Sequence, residues 1–379
     1  MAAPRIAIVG GGIAGASLAY MLAVERGVAP LLLEREAHCG SHATGRSAAL
    51  YMPSYGPPAV RAATRASGAF YREPPAGFAA QPLLAPRGAL HLALRDDPHA
   101  EPSLRALRAR LQAAGSPARE LDAAAVLALC PVLRPQQVLG GLLEAEALDM
   151  DVDAILQGFL RGARRAGAEL HTDSAVLEAR RADGRWRLRT AHASFDADIV
   201  VDAAGAWADA LGALAGATPI GLQPKRRSAF LFDPPSDVAG WRDWPTLIDL
   251  AERFYVKPDA GCLLGSPANA DPAEPHDVQP EEIDIASGIW AIEQATTLHI
   301  RRPRATWAGL RSFVADGEPV VGFDPNLPGW FWLAGQGGYG IQSAPGLARA
   351  AAALLLDGTL GAAWAAAGLR AEAIAPGRG

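Results

Sequence analysis

The sequence contains few cysteines, and their arrangement excludes a disulfide framework. Cys39, Cys130 and Cys262 are the only three among 379 residues, an odd number at wide spacings. Disulfide-rich secreted domains and zinc modules use several closely spaced cysteines instead. We therefore expect three reduced, structural thiols. The histidines and acidic residues show no metal-ligand spacing either, so no metal site is predicted.

A strongly basic face and a long apolar run are also missing. The net charge is -5, with no extended run of lysine or arginine, which argues against nucleic acid as a partner. No apolar stretch is long enough to span a bilayer, and no charged-then-apolar leader opens the chain. We expect a globular protein without a transmembrane segment, located in the cytoplasm. The length and the 50% hydrophobic content allow a large core shared by two interleaved domains.

The most informative feature that is present is a glycine-rich turn near the N-terminus. The run 5–20 (RIAIVGGGIAGASLAY) predicts a buried strand followed by a helix that begins near Ile13. Gly10 would make the tight turn, Gly12 would let a diphosphate approach, and Gly15 would let the helix pack on the strand. The first backbone N–H groups of that helix would point at the diphosphate.

An acidic residue closes the second strand of the same unit. Glu34 follows Leu31-Leu-Leu, at the distance from Gly10 where a carboxylate accepts hydrogen bonds from ribose hydroxyls. A carboxylate at this position disfavours a 2′-phosphate and therefore NADP. Strand, glycines, helix, strand and acid in register predict a dinucleotide cofactor, with an ordinary glycine-rich turn as the alternative.

The loop after Glu34 favours FAD over NAD. It contains Thr44, Gly45, Arg46 and Ser47, which offer hydroxyls, backbone amides and one guanidinium to a diphosphate or to the polar edge of a flavin. NAD enzymes seldom need a second loop of this kind beside the phosphates. We therefore expect this loop to contact the cofactor.

Two more glycine turns are expected at the same ligand. A predicted buried strand over 197–202 ends in a turn with Ala204 and Gly205, where the chain can pass close to a cofactor. The run 335–342 (GQGGYGIQ) precedes a long helix whose N-terminus would stabilise negative charge on a reduced flavin. Three separated glycine turns around one ligand fit FAD better than NAD.

Periodicity gives a coarse outline of the remaining chain. Alternating apolar positions predict strands, and apolar positions three or four residues apart predict helices. A stretch rich in proline and acidic residues at 271–280 is predicted to be a surface loop. The predicted strands lie at 88–94, 168–197 (a meander that turns at 182–185) and 227–232, and the predicted helices at 101–114, 153–166 and 345–356.

Four of these segments together resemble the D-amino-acid oxidase family of FAD enzymes. They are the first glycine turn with Glu34, the loop at 42–47, the run Val201-Asp-Ala-Ala-Gly-Ala-Trp and the glycine turn at 335–340. The similarity extends along essentially the whole chain. Longer runs that are similar to bacterial D-arginine dehydrogenases begin at Leu222, Phe254, Gly265 and Thr306.

The resemblance implies an α/β fold in which a Rossmann-type FAD-binding domain is interleaved with a mixed-sheet α+β substrate domain. The FAD-binding domain would comprise 1–83, 145–213 and 309–379, and the substrate domain 84–144 and 214–308. FAD would be the cofactor. The residues implied to bind it are Gly10, Gly12, Ile13, Ala14, Gly15, Glu34, Arg35, Thr44, Gly45, Arg46, Ser47, Val176, Ala204, Gly205, Trp207, Gly309, Gly337, Gly338, Tyr339, Gly340, Ile341 and Gln342.

His42 introduces the alternative of a covalently attached flavin. Some amine-oxidising relatives attach the flavin through a histidine in a similar setting, and this chain reads His42-Ala-Thr-Gly. The D-arginine dehydrogenases also have a histidine near this position and hold the flavin noncovalently. We therefore expect noncovalent FAD.

The resemblance further implies oxidative deamination of D-amino acids. A hydride passes from Cα to flavin N5, and the resulting imino acid hydrolyses to a 2-keto acid and ammonia. The substrate carboxylate calls for a planar, bidentate donor, and Arg227 and Arg311 are implied to bind it. For any one arginine, the alternative is a solvated surface position. The other implied contacts are Tyr55 and Tyr255, which hold the carboxylate or close a lid, and Gln342 and Gly338, which face the substrate amine.

Differences from the D-arginine dehydrogenases predict a preference for uncharged or apolar substrate side chains. Ala89 stands where those enzymes carry a glutamate that pairs with the guanidinium, and Leu50 and Met52 replace a histidine and a threonine. Burying an unpaired guanidinium costs several kcal/mol, enough to reverse a substrate preference. Thr246 and Ile248 complete the predicted pocket wall. Another acid, such as Glu252 or Asp249, is the alternative partner for a cationic substrate.

Other activities stay open at this point. An oxidase would use oxygen directly, although the oxygen-activating lysine of sarcosine oxidases is replaced near Cys262-Leu-Leu in this chain. A relative could instead oxidise a secondary amine, such as a cyclic or N-methyl amino acid. A flavin-binding protein without turnover is the alternative from another functional class. The sequence does not name the electron acceptor of a dehydrogenase, for which a quinone is one candidate.

Overall fold

Two large β-sheets organise the chain, of which the computed structural model describes residues 3–378. The strands are, in chain order, β1 (Ile6–Val9), β2 (Leu31–Leu33), β3 (Leu50–Tyr51), β4 (Leu84–Pro86), β5 (Ala89–Leu94), β6 (Arg119–Asp122), β7 (Val138–Glu144), β8 (Leu148–Met150), β9 (Glu169–His171), β10 (Glu178–Ala182), β11 (Arg185–Arg189), β12 (Ser194–Ala197), β13 (Ile199–Asp202), β14 (Gln223–Phe232), β15 (Thr246–Asp249), β16 (Tyr255–Asp259), β17 (Cys262–Ser266), β18 (Asp271–Pro272), β19 (Ala305–Phe313), β20 (Val320–Phe323) and β21 (Trp330–Ala334). The α-helices are α1 (Ile13–Tyr20), α2 (Pro58–Arg72), α3 (Ala100–Ala113), α4 (Ala123–Leu129), α5 (Val152–Arg165), α6 (Ala208–Ala215), α7 (Glu282–Ala295), α8 (Gly340–Asp357) and α9 (Ala362–Ala366).

The first sheet has the order β20-β21-β13-β1-β2-β9 and is parallel except for the β20–β21 pair. Every side chain of β1 is buried, as its apolar run requires in a sheet covered on both faces. Helix α1 follows β1 through the glycine turn and packs against α5 and α8. This is the predicted βαβ unit, and its turn lies at the C-terminal edge of the parallel strands, where such folds bind ligands.

The second sheet is mixed and has the order β18-β14-β17-β16-β15-β5-β7-β6, with β19 paired to β14. In the β14–β19 register, Arg227 lies opposite Gly309, and Lys225 lies opposite Arg311. Opposite residues of antiparallel strands share a face, as do residues two apart on one strand. Arg227 and Arg311 therefore extend from the same face of this strand pair.

Several predicted elements are confirmed, with shifted ends. The helices predicted at 101–114 and 153–166 are α3 and α5, each beginning one residue earlier. The predicted meander forms the three-stranded sheet β10-β11-β12, whereas β9 joins the first sheet instead. The domain boundary predicted at 309 falls inside β19, which belongs entirely to the second sheet.

Helix α8 begins five residues earlier than predicted and contains a proline. Apolar periodicity predicted a helix from Pro345, but the helix runs from Gly340 and so holds this proline in its interior, where proline normally breaks a helix. Proline has no N–H, so the carbonyl of Ile341, four residues earlier, loses its helical partner. The buried Tyr71 hydroxyl of α2 donates a hydrogen bond to that carbonyl. A side chain from a neighbouring helix thereby satisfies the acceptor that proline leaves free.

The three cysteines are free, as predicted. Burial raises the pKa of Cys39 to about 11 and that of Cys130 to about 12, so both stay protonated thiols near neutral pH. Within residues 3–378, no helix is both long and apolar enough to cross a membrane. The same residues contain no cluster of three or more His, Cys, Asp or Glu side chains arranged to hold a metal ion.

Candidate active site

A cavity of about 440 Å³ runs from the glycine turn of the first sheet to the β14–β19 pair of the second. All three glycine turns border it, which is the convergence the sequence predicts. The predicted cofactor residues that line it are Gly10, Gly12, Ile13, Ala14, Glu34, Arg35, Thr44, Arg46, Ser47, Val176, Ala204, Gly205, Trp207, Gly309, Gly337, Gly338, Gly340 and Ile341.

The glycines of the first turn have different roles. A Cβ on Gly10 would lie 2.3 Å from the Ala203 carbonyl oxygen, and one on Gly15 would lie 2.0 Å from the Gly10 carbonyl oxygen. Both positions therefore let backbone segments pack together. A Cβ on Gly12 would meet only the Thr44 hydroxyl, at 3.3 Å, and would otherwise extend into open space. Gly12 thus keeps the cavity wall clear at the helix start, and the cradle fits a diphosphate.

Polar groups near this turn are held by the backbone. The buried Glu34 carboxylate accepts hydrogen bonds from the Gly11 N–H at 2.7 Å and the Glu36 N–H at 2.8 Å. Thr44 Oγ1 accepts from the Ile13 N–H at 3.0 Å. Glu34 is therefore fixed at the cavity wall, while the Thr44 oxygen caps α1.

Arg46 differs from its predicted role. Its guanidinium donates to the carbonyl oxygens of Val278 at 2.8 Å and Ala308 at 3.0 Å, and it forms an ion pair with Asp277. The guanidinium donors that the sequence analysis assigned to a diphosphate or a flavin edge therefore bond to protein groups. Arg46 instead fastens a segment across the cavity.

The stretch 271–280, predicted as a surface loop, contributes to the cavity wall. Asp271 and Pro272 form a short strand against β14, and Val278 is only 2% exposed. Val278 packs on Ala206, Ala308 and Leu310, and it lines the cavity together with His276. Sequence reasoning missed the buried Val278 in this polar stretch, because the residues that cover its side chain come from distant parts of the chain.

His42 lies at the same cavity with its ring engaged. Its Nε2 is 2.9 Å from Glu36 Oε1, and its ring centroid is 4.7 Å from that of Trp207. The Arg35 guanidinium lies 4.9 Å from the Trp207 ring centroid on the same indole. Arg35 and His42 therefore both pack against the Trp207 indole along one wall, with the His42 ring tilted at 51° to it.

Two guanidinium groups reach the substrate-domain end of the cavity. Arg227 and Arg311 both line it, together with Tyr255. Arg227 Nε donates to the Asn269 carbonyl oxygen at 2.6 Å, and among residues 3–378 neither arginine has a carboxylate ion-pair partner. Burial lowers the pKa of Arg227, and the neighbouring charge of Arg311 lowers it further. Two facing cations without an anion form a site that attracts a carboxylate.

Tyr55 and Gln342 lie beside the cavity without lining it. Tyr55 is 41% exposed, and its ring packs edge-on against Tyr339 with centroids 5.0 Å apart. The buried Gln342 accepts from the Met52 N–H at 3.0 Å and donates to the Tyr55 carbonyl oxygen at 3.3 Å. Gln342, predicted to face the substrate amine, therefore holds the loop that carries Tyr55.

The remaining predicted residues that do not line the cavity serve packing. A Cβ on Gly45 would lie 2.6 Å from the Gly40 carbonyl oxygen, so this glycine closes its own loop. Tyr339 packs between Tyr55 and Phe313, and burial raises its pKa to about 12. The Gly338 backbone does line the cavity, and a Cβ there would lie 3.0 Å from Arg311 Nη1.

The predicted pocket wall is an apolar cluster adjoining the cavity. Leu50, Met52, Ala89 and Ile248 pack together with Ala147. None of them lines the large cavity itself, but Ile248 lies opposite Tyr255, which does. Thr246 is buried beside Ala89, and its hydroxyl has no hydrogen-bond partner among residues 3–378.

A buried acid lies on the same face as Ala89 and was missed by the sequence analysis. Glu144 is directly opposite Ala89 in the β5–β7 ladder and only 8% exposed. Its carboxylate lies 2.8 Å from His91 Nε2 and accepts from Ser54 Oγ at 2.5 Å. No motif marks this group, since its members come from three separate segments. Its only sequence signal is a polar residue in each of two apolar strands.

The two acids proposed as partners for a cationic substrate differ in availability. Asp249 is buried and bonded to Arg253, with Nε–Oδ2 at 2.6 Å, so its charge is already paired. Glu252 is exposed at the β15–β16 turn, with a left-handed φ of 55°. Its charge raises the pKa values of Arg227 and Tyr339, although Glu252 does not line the cavity.

No lysine lines the cavity within the described chain. The sequence has two lysines. Lys257 pairs with Asp149 at 2.7 Å, and Lys225 lies 5.5 Å from the Phe313 ring centroid. Cys262 and Leu264 are buried in β17 and do not border the cavity either.

Comparison with solved structures matches the fold over nearly the whole chain. The L-proline dehydrogenase of P. horikoshii superposes with a TM-score of 0.81, 21% identity and 94% coverage of both chains. The glycine oxidase of Geobacillus kaustophilus gives a TM-score of 0.80, 23% identity and coverage of 95% and 96%. The predicted fold class, a Rossmann-type FAD-binding unit with a mixed-sheet second unit, is confirmed.

Curated relatives match shorter parts of the chain. The FAD-dependent oxidoreductase domain-containing protein 1 of Xenopus laevis is 26% identical over 182 residues, which are 44% of this chain and 36% of that protein. The glycine oxidase of Bacillus licheniformis is 26% identical over 232 residues, 60% of each chain. The chain thus spans little more than a third of the first of these relatives. The family model described as FAD dependent oxidoreductase matches residues 5–354, and the chain belongs to this FAD-dependent family.

Proposed function

We propose that this chain is an FAD-dependent dehydrogenase of D-amino acids with uncharged side chains. The single observation that carries this proposal is the pair Arg227 and Arg311, which face the cavity of the FAD fingerprint without any carboxylate partner among residues 3–378. An unpaired buried cation is costly, so such a pair is retained where a ligand supplies the anion. An α-amino acid carries that carboxylate next to the carbon to be oxidised.

The chain's own residues supply binding and orientation. FAD, when bound, supplies the electron acceptor for the carbon that carries the amine. Arg227 and Arg311 would fix the carboxylate, and Tyr255 lines the same end of the cavity. Tyr55, held by Gln342, is placed to cover that end. A substrate held through its carboxylate presents Cα in one orientation, which is the main requirement of such a reaction.

We propose noncovalent FAD and an apolar side-chain pocket. The His42 ring lies within hydrogen-bond distance of Glu36 and packs against Trp207, which favours a packing role over a covalent attachment. Leu50, Met52 and Ala89 form an apolar cluster with Ile248, which lies opposite the cavity-lining Tyr255 in the β15–β16 ladder. The resemblance to D-arginine dehydrogenases supports the D configuration. Of the nearby acids, Asp249 is paired with Arg253 and Glu144 is bonded to His91, which leaves the exposed Glu252 to serve a cationic side chain.

Oxidation of a secondary amine is a second candidate. Structures of an L-proline dehydrogenase and an iminodiacetate oxidase share the fold, and human mitochondrial dimethylglycine dehydrogenase is 30% identical over 139 residues. Such substrates also carry a carboxylate, so the same arginine pair would serve. The absence of a lysine from the described cavity wall supports a dehydrogenase over an oxidase in either case.

The test is anaerobic reduction of the purified yellow protein by a panel of amines. The panel contains D- and L-leucine, D-methionine, D-phenylalanine, D-arginine, glycine, L-proline and dimethylglycine. We expect the apolar D-amino acids to bleach the flavin fastest and slow reoxidation when air is admitted. Fastest bleaching by L-proline or dimethylglycine would select the second candidate. Rapid reoxidation would identify an oxidase, and no bleaching by any member would indicate a flavin protein without turnover.

A further inference from the structure

Arg227 is held by a backbone carbonyl through Nε, and its two terminal nitrogens make no hydrogen bond within the part of the chain that the structure describes. Its Nε donates to the Asn269 carbonyl oxygen at 2.6 Å. The guanidinium is planar and rigid. A hydrogen bond at Nε therefore also fixes the direction in which the two Nη groups point. The position of the Asn269 peptide therefore determines where Arg227 points.

The Asn269 side chain fixes that peptide from both sides. Its Oδ1 accepts from the Ser228 N–H at 2.8 Å, and its Nδ2 donates to Asp284 Oδ2 at 3.1 Å and to Asp271 Oδ2 at 2.8 Å. Ser228 is the residue after Arg227 on β14. The amide thus ties its own carbonyl to the strand that carries the arginine.

A buried carboxylate completes the support. Asp284, 8% exposed in the first turn of α7, accepts from Ser228 Oγ at 2.8 Å and from Arg226 Nε at 2.8 Å. Ala268, the residue before Asn269, has a left-handed φ of 51°. A non-glycine residue stays in that conformation only where its surroundings fix it. Arg226 extends from the face of β14 opposite to Arg227, and through Asp284 it stabilises the Asn269 side chain that supports Arg227.

We propose that Asn269 is a positioning residue that sets the direction of the Arg227 guanidinium for a substrate carboxylate. This inference rests on the proposed function, in which Arg227 binds that carboxylate. Asn269 itself does not line the cavity. Its effect on binding passes entirely through Arg227, and this gives a specific expectation for a double-mutant cycle.

The experiment measures binding of benzoate, a carboxylate without an amine, to the FAD-loaded protein through the change in flavin absorbance. The variants are Asn269→Ala, Arg227→Met and the double variant. Gln223→Ala is the matched control, since Gln223 lies on the strand that carries Arg227 and its side-chain amide also bonds the backbone, at the Pro224 and Ala273 carbonyl oxygens. Flavin content and thermal midpoint are recorded for each.

We expect Asn269→Ala to weaken benzoate binding about tenfold, equivalent to about 1.4 kcal/mol, with Gln223→Ala unchanged. In the Arg227→Met background the same substitution should have less than about a twofold effect. Equal weakening in both backgrounds, or none in either, would overturn the proposal. If Arg227→Met alone leaves benzoate binding unchanged, the carboxylate site of the proposed function fails instead.

A second variant covers the case in which Asn269→Ala does not fold. Asn269→Asp keeps the shape and the acceptor for the Ser228 N–H, but it sets a second oxygen against Asp271 and Asp284. It should also weaken benzoate binding only while Arg227 is present. Equal weakening of benzoate binding by Asn269→Asp with and without Arg227, or no weakening in either background, would overturn the proposal.

Discussion

At the scale of single residues, the site is defined by charges that lack a counter-charge. Arg226 and Arg227 are neighbours on β14, yet Arg226 is paired with Asp284 and Glu281 while Arg227 faces the cavity. Because side chains alternate across a strand, one arginine serves the support and the other the ligand. Arg311 reaches the same cavity from the opposite strand.

The first prediction concerns Arg311. Arg311→Met keeps an unbranched apolar side chain and removes the guanidinium with its charge and forked donors. We expect kcat/KM for the best amino acid to fall by about a hundredfold or more, about 3 kcal/mol, with normal flavin content. The control is Arg301→Met at an exposed arginine, which should have no effect. Unchanged kcat/KM in Arg311→Met would remove this residue from the site.

Sequence reasoning found these arginines but not their surroundings. The glycine-turn motif identified Glu34, and the family resemblance identified Arg227 and Arg311. Arg46 bonds the Val278 and Ala308 carbonyl oxygens and the Asp277 carboxylate, and Gln342 bonds backbone groups of Met52 and Tyr55; all of these partners are distant along the chain. A one-dimensional pattern does not contain such contacts, so the predicted ligand roles of both residues differ from their observed bonds.

The second prediction uses the buried acid at the end of β13. Asp202 is fully buried, its Oδ1 accepts from the Ala204 N–H at 3.1 Å, and its Oδ2 has no hydrogen-bond partner among residues 3–378. Burial holds the pKa of Asp202 well above its usual range. The native state then binds the proton more tightly than the unfolded state, so this group's contribution to stability falls as pH rises from about 4 toward the native pKa.

Asp202→Asn removes that titration and keeps an oxygen for the Ala204 N–H. We expect the variant to gain stability relative to the wild type as pH rises, measured as thermal midpoints of the FAD-loaded proteins between about pH 5 and pH 8. Asp237→Asn, at an exposed carboxylate, is the control and should follow the wild type. Parallel curves for Asp202→Asn and the wild type would show that Asp202 does not titrate abnormally.

At the scale of elements, the glycine turn and the long C-terminal helix carry the cofactor site. Both were predicted from sequence because their signals are local: a buried strand, glycines at fixed spacing and an apolar helix. The start of α8 was wrong because the group that compensates Pro345 lies on α2. The covering segment at 271–280 was missed as part of the cavity for a similar reason.

The third prediction separates the cofactor role of Gly12 from a folding role. Gly12→Val should fold and lose its flavin, because the valine side chain would extend into the cavity and would not clash with backbone atoms. Gly12 precedes α1 with φ -73° and ψ -175°, and Gly361 precedes α9 with nearly the same angles and open space around it. Gly361→Val is therefore the matched control, expected to retain flavin. The measurement is the flavin-to-protein absorbance ratio, and a normal ratio in Gly12→Val would refute the assigned role.

The fourth prediction concerns the contact between α2 and α8. Tyr71→Phe deletes the hydroxyl that bonds the Ile341 carbonyl and leaves that buried acceptor unpaired. We expect a loss of about 1–3 kcal/mol in the free energy of unfolding by urea. Tyr20→Phe is the control, since the Tyr20 hydroxyl makes no hydrogen bond among residues 3–378. Equal effects of the two substitutions would mean that the carbonyl does not depend on Tyr71.

At the scale of the whole molecule, the two sheets join a nucleotide site to a carboxylate site. The first sheet supplies the glycine turns, and the β14–β19 pair of the second supplies both arginines. The interleaved chain order was predictable only through resemblance, since no local signal tells which distant strands share a sheet. The central claim is therefore that one cavity binds FAD and, beside it, an amino acid through its carboxylate.

The most direct test removes the carboxylate from the substrate. Anaerobic flavin reduction of the wild-type protein is followed with D-leucine and with 3-methylbutylamine, which is the same molecule without its carboxylate. We predict rapid reduction by D-leucine and a rate lower by roughly a hundredfold or more with the amine, about 3 kcal/mol of lost binding. Equal rates with the two compounds would contradict the account, because the carboxylate would then contribute nothing to the reaction.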